Sequence, residues 1–240
     1  MKTKIMKKAF FLALIACSGI AFSQSYQDSI ILLNGNVFRG KILKLSDDFL
    51  SFESMSKKGP EELRIELYRI FSYTQNSQES ILYKHDTITG NFLKVDESRK
   101  YALGGYDARQ TFTSKPVFYS SIAASFAFSL FDSYLTQKGA DELNLNPAFT
   151  SEFKPGFFGN RPTILPLAMP LTLGISFGLT NVRVKEQYIL QKQLKNDLFY
   201  YEGFNKVAKQ KRTFAALKGS LIGIGLGYIS YSLFRINSFE

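Results

Sequence analysis

The sequence predicts an α+β chain: a small N-terminal β module, barrel-like or a bent sheet, followed by an α-helical membrane bundle of two to three apolar helices. Three observations carry this. Residues 24–94 are a series of short strand-like runs punctuated by Asn-Gly, Gly and Asp-Asp turn signals. Residues 95–240 hold three apolar runs, 117–136, 163–180 and 214–234, separated by charged stretches. Each of these runs repeats small residues every four positions.

Residues 1–23 come first, with Lys2, Lys4, Lys7 and Lys8 ahead of an apolar stretch and the small-x-small pattern Ala21-Phe22-Ser23 before Gln24. This is the layout of a secretory signal peptide. Leu14-Ile15-Ala16-Cys17 looks like a lipobox, so acylation at Cys17 is the alternative to ordinary cleavage; the apolar character continuing past Cys17 favours cleavage. Cleavage removes the only cysteine, and with it disulfide and thiol chemistry. It also lowers the formal charge of +10, leaving 26 basic against 20 acidic residues. An exported chain with that small excess fits loops beside anionic lipid better than nucleic acid, which is not expected as a partner.

In the β module, 29–33 reads as a strand, Asn34-Gly35-Asn36 as a turn, and 37–45 as a second strand with a bulge at Gly40. Ser46-Asp47-Asp48 turns into a third strand at 49–53, and residues 57–61 form a loop. Residues 63–73 supply a fourth strand and a fifth, and five short strands read as a small SH3-like barrel or strongly bent sheet. Residues 79–84 and 90–94 suggest one more hairpin around His85. This single histidine lacks partners at ligand spacing and reads as a solvated loop residue. Asp96 is the expected cap of a helix running to Arg109, with acid in its first turn.

Asp28-x-Ile30-x-Leu32-x-Asn34-Gly35 followed by Gly40-Lys41-Ile42 resembles the opening of Sm-like and SH3-like small barrels, and also secreted NG-x(4)-GKI modules of Bacteroidota. Gly105-Tyr106-Asp107-Ala108 and Tyr200-Tyr201-Glu202-Gly203-Phe204, the latter preceding a basic stretch and a final apolar helix, extend the resemblance. The chain is thus similar to a family of uncharacterised Bacteroidota exported membrane proteins. That resemblance implies the layout of signal peptide, β module and membrane helices, and no activity. The barrel resemblance implies a shape and not an RNA ligand.

The candidate helix-packing residues are Ser121, Ser125 and Ser129 in the first run, Gly174 and Gly178 in the second, and Ala215, Gly219, Gly223 and Gly227 in the third. Small residues at this spacing share one face of a helix and let a neighbour approach backbone to backbone. The third run has no charge from Gly219 to Phe234, whereas the first carries Asp132, which is costly in lipid unless it faces the bundle or the interface. Pro162, Pro166 and Pro170 break the second run. Three full spans place the eight Lys and Arg of residues 182–212 on the same side as the β module, against the positive-inside tendency. A re-entrant second run, putting that segment opposite the module, is the preferred reading; the charge rule yielding to packing is the other.

Chemistry is sparse. Gly174-Ile175-Ser176-Phe177-Gly178 matches a nucleophile-elbow pattern but sits inside an apolar run with the sole histidine in another module. No phosphate loop and no Cys/His metal set can be assembled, and the acidic pairs Asp47-Asp48, Glu61-Glu62 and Asp141-Glu142 hold at most a weakly bound calcium. No cofactor, metal or catalytic residue is assigned. The expectation is a non-enzymatic interaction or structural protein of a bacterial envelope, anchored in a bilayer, displaying a periplasmic β module to itself or to an envelope partner. A helical-bundle transport component is the alternative, and an intramembrane hydrolase resting on Ser176 comes third.

Overall fold

The computed structural model describes residues 28–56, 59–145 and 165–237. The leader with Cys17, and the start of the second apolar run at 163–164, lie outside them. Six antiparallel strands form one sheet: β1 (Asp28–Leu32), β2 (Val37–Leu45), β3 (Phe49–Ser56), β4 (Gly59–Glu66), β5 (Ile70–Gln75) and β6 (Gln78–Ile81), in the order β4-β3-β2-β1-β5-β6. Four strands meander, and the fifth returns to lie beside the first.

That return dictates the shape. In a flat sheet β4 and β5 would stand four strand spacings apart, about 19 Å. Only the 3-10 turn Leu67–Arg69 joins them, and four extended steps reach at most about 14 Å. The sheet therefore curls until its two sides approach, closing on Ile30, Leu32, Ile42, Leu50, Phe52, Ile65 and Ile70. Asp28 helps hold the curl: its carboxylate is buried and accepts from the Ile42 N–H (3.0 Å) and the Asn76 N–H (3.3 Å).

Local chemistry moves several expected boundaries. The irregularity in β2 falls between Ile42 and Lys44, not at Gly40, which pairs in register with Asp28 and Ser54. Gly40 answers instead to crowding, since a Cβ there would lie 2.0 Å from the Glu53 carbonyl oxygen. β4 begins at Gly59, four residues before the expected start, with Pro60 opposite Met55. Proline is tolerated because β4 is an edge strand. The expected last hairpin does not form. β6 pairs with β5 through Asn76 and Ser77, both at positive φ, and only a lone bridge joins Asp86 to Asn91.

Four helices follow: α1 (Val95–Thr111), α2 (Lys115–Asn144), α3 (Ala168–Leu179) and α4 (Leu198–Asn237). The cap of α1 is Lys94, whose N–H donates to Glu97 Oε2 at 2.8 Å, so Asp96 lies within the first turn instead of ahead of it. Among the described residues one helix, Leu198–Leu233, is long and apolar enough to cross a membrane. α2 is long but less apolar, and α3, at 12 residues, spans about 18 Å against a hydrocarbon core of about 30 Å.

Helices α1, α2 and α3 all pack on α4. Phe118, Ile122 and Phe126 of α2 meet Gly219, Gly223 and Gly227 in ascending order, so α2 and α4 run parallel. Gly174 and Gly178 of α3 meet Leu217 and Thr213 in the opposite order, so α3 runs back. The chain thus leaves the β module along α2, returns by the end of α3, and leaves again along α4. Residues 182–212 consequently lie at the β-module end, tied to α1 by Leu190 and Gln191 N–H groups on Asp107 and by Lys100 on Asp197. The preferred expectation, which set that segment opposite the module, is overturned by its hydrogen bonds and ion pair with α1.

Candidate functional site

The seam between α2 and α4 is built from what the side chains lack. A Cβ added at Gly219 would lie 2.5 Å from the Phe118 carbonyl oxygen, and one at Gly223 would lie 2.4 Å from that of Ile122. One at Gly227 would meet the Ser129 hydroxyl and, at 3.0 Å, the Phe126 carbonyl oxygen. Opposite them, Ser121, Ser125 and Ser129 are 1%, 0% and 0% exposed, so the serine stripe faces the glycine stripe and lines no open path there. Ser129 Oγ donates to the Phe126 carbonyl at 3.0 Å, while the hydroxyls of Ser121 and Ser125 have no hydrogen-bond partner among the described residues. Ala215 is buried at the head of the seam, and Leu221 and Leu226 point outward.

At its other end α4 repeats the device against α1. A Cβ on Gly203 would lie 2.0 Å from the Tyr101 carbonyl oxygen, and one on Gly104 would lie 2.0 Å from that of Tyr200, a reciprocal backbone contact. Gly35 (φ +79) completes the junction: its position is 2.7 Å, measured from an added Cβ, from the backbone of Gly105 and Tyr106. Here the turn of the β module, the middle of α1 and the start of α4 meet with almost no side chain between them.

Polar groups lock this junction. Asp107 is fully buried. Its Oδ2 accepts from the Tyr200 hydroxyl, from Leu190 N–H (2.9 Å) and from Gln191 N–H (3.1 Å). Burial first, and then the hydrogen bond to the Asp107 carboxylate, push the Tyr200 hydroxyl far above its ordinary pKa. Asp197 caps α4, accepting from Phe199 N–H (3.0 Å) and Tyr200 N–H (3.2 Å), and pairs with Lys100 at 2.6 Å. The Lys100 hydrogen bond holds the Asp197 carboxyl below its usual range. Lys211 closes the other end of α1, donating to the carbonyls of Ala108, Arg109 and Phe112 at 3.0, 2.8 and 3.0 Å. Edge-on contacts of Phe112 with Tyr188 and Phe204 fill the remaining space.

The two motifs that carried the family resemblance are thus brought together, Gly105–Ala108 against Tyr200 and Gly203. The turn at Gly35 was legible, but its approach to α1 and the roles of Gly104, Asp107 and Lys211 had no signal in residue spacing. Other singled-out residues stay apart from the junction. Gly174 and Gly178 accommodate Leu217 and Thr213 of α4. Ser176 lies within helix α3, donating to the Thr172 carbonyl at 2.7 Å, so the strand-turn-helix of a nucleophile elbow is missing around it. His85 is exposed in the β module, its Nδ1 3.1 Å from the Leu93 carbonyl oxygen. Compared with protein-family models, curated proteins and solved structures, the chain matches none.

Proposed function

We propose that the chain is a non-enzymatic, membrane-anchored structural or interaction protein of a bacterial envelope, in which the apolar parts of α2 and α4 stand in a bilayer and hold the curled β module at its surface. The carrying observation is the continuity of α4. It is one helix of 40 residues, about 60 Å long. Its apolar half meets α2 through Gly219, Gly223 and Gly227, and its first turns meet α1 through Gly203. Any tilt of the anchor is transmitted to the module without a hinge, which suits display to a partner or to a second copy. Under this reading the export signal puts the module and residues 182–212 together on the periplasmic side, and the chain has returned there by the end of α3. A transport role is the second reading, favoured by Asp132, whose Oδ2 is buried without a hydrogen-bond partner among the described residues. The serine stripe closed against glycine favours the structural reading.

Single cysteines at Thr87, Gln193 and Glu142, in a chain with Cys17 replaced by serine, test the arrangement with an impermeant thiol reagent on intact spheroplasts. Thr87→Cys and Gln193→Cys are expected to label alike and Glu142→Cys only after lysis. Labelling of Glu142→Cys in intact cells removes the bilayer from between the two ends of α2.

A further inference from the structure

Where α1 ends and the apolar parts of α2 and α4 begin, a groove of about 460 Å³ opens, within the size range of small-ligand sites. Arg109, Lys115, Lys211 and Lys218 line it together with the rings of Phe118 and Phe214, and no carboxylate lines it. Four cations converging without an acid are unfavourable unless an anion joins them. Lys211 commits its donors to three carbonyls and so supplies charge alone. Arg109 gives one N–H to the Asn34 carbonyl at 3.3 Å and keeps a buried Nε with no partner among the described residues. Lys115 and Lys218 are exposed, with no ion-pair partner among the described residues, and are free to close on a ligand. Burial lowers the pKa of both Arg109 and Lys211, and Arg109 lowers that of Lys211 further, which fits cations crowded without a counter-charge.

The anion's chemistry follows from the walls. Guanidinium and ammonium groups with aromatic rings beneath them suit a phosphate that carries an apolar tail. The groove also sits at the level where the seam begins, with Phe118 beside Gly219. We propose that this groove binds the phosphate headgroup of an anionic phospholipid, Lys115 and Lys218 closing on the phosphate and the acyl chain leaving past Phe118 and Phe214. The proposal rests on the bilayer reading above.

The test uses the full chain in phosphatidylcholine nanodiscs containing a minor fraction of phosphatidylglycerol, with bound lipid counted by native mass spectrometry after gentle extraction. One phosphatidylglycerol is expected to stay with the wild type. Lys115→Gln combined with Lys218→Gln is expected to weaken its retention roughly thirtyfold, about fivefold for each lysine lost near the surface. Lys185→Gln with Lys192→Gln removes the same charge from exposed positions elsewhere and is expected to leave retention unchanged. Equal losses in the two double variants, or equal retention of phosphatidylcholine, overturn the site. Displacement of the lipid by millimolar inorganic phosphate overturns the lipid assignment in favour of a soluble phosphate. Alkaline extraction of the same preparation separates the two readings. A chain that resists extraction yet shows no lipid preference keeps its anchor and loses the groove, whereas a chain that is extracted loses the anchor itself.

Discussion

In the β module, Ile30, Leu50 and Phe52 have no exposed surface, and the curl of the sheet exists to enclose them. Along α4 close backbone approaches lie where a side chain is missing, at Gly203 against Tyr101 and at Gly219, Gly223 and Gly227 against α2. The module is held mainly by enclosed side chains, and the α2–α4 seam by backbones that approach closely at glycine. On the bilayer reading proposed above, the difference follows the solvent of each region. In water, enclosing large apolar side chains is the main source of stability. Between helices in lipid that gain vanishes, and close backbone approach with its dispersion contacts takes over. The same close approach recurs at the α1–α4 junction, outside the apolar run, at Gly104 and Gly203.

The two regions should therefore break by opposite substitutions. Phe52→Ala removes a ring from a sealed core and is expected to cost about 3–5 kcal/mol. Hydrogen exchange should show β1–β5 amides losing protection while those facing the α2–α4 seam keep theirs. Simultaneous loss in both regions would show one cooperative unit and erase the distinction. In the helices it is the addition of a single carbon that does damage: Gly104→Ala and Gly223→Ala each force a backbone shift and are expected to cost about 1–3 kcal/mol. Gly225 meets nothing within 4 Å at an added Cβ, so Gly225→Ala should be neutral or slightly stabilising. Thermal stability in detergent, compared across the three, decides the matter. Equal behaviour of Gly223→Ala and Gly225→Ala would mean that the groove is no contact surface.

Periodicity made part of this readable in the sequence. The alternation in Asp28–Leu32, the Asn34–Gly35 turn and the four-residue spacing of small residues depend on local geometry alone, so strands and stripes could be located from residues. Which stripe meets which could not, because pairing across about 100 positions leaves no mark in one chain. The boundary at Gly59 was hidden by Pro60, whose tolerance depends on β4 being an edge. Asp107 stood in the Gly105–Ala108 motif without an assigned role, and only the fold sets Tyr200 and the 190–191 backbone around it. The direction of residues 182–212 was misjudged because the charge tendency is weak beside a specific lock, here Asp107 with Leu190 and Gln191.

That lock extends to the start of α4, where the expected effect is smallest and the sign can be worked out. Asp197 both caps the helix and pairs with Lys100, whose side chain is 37% exposed, so the ion pair itself is largely screened. Asp197→Ala removes cap and charge together and should cost about 1 kcal/mol. Asp197→Asn keeps an oxygen for Phe199 and Tyr200 N–H and should lose only a few tenths, roughly what a half-exposed pair contributes. The folded-state pKa of Asp197 lies below its ordinary 3.8, so its contribution is present above that value and is lost as pH falls through the folded pKa. Lys100 is raised from 10.5, so its share is present below that pH and is lost only as pH rises past the folded value. Thermal melts of wild type and Asp197→Asn should therefore differ by a constant small amount near neutrality and converge below about pH 3.8. A gap that persists at lower pH would show that the carboxylate's charge is not what Asp197 contributes, leaving its hydrogen-bond geometry as the whole of its role at the head of α4.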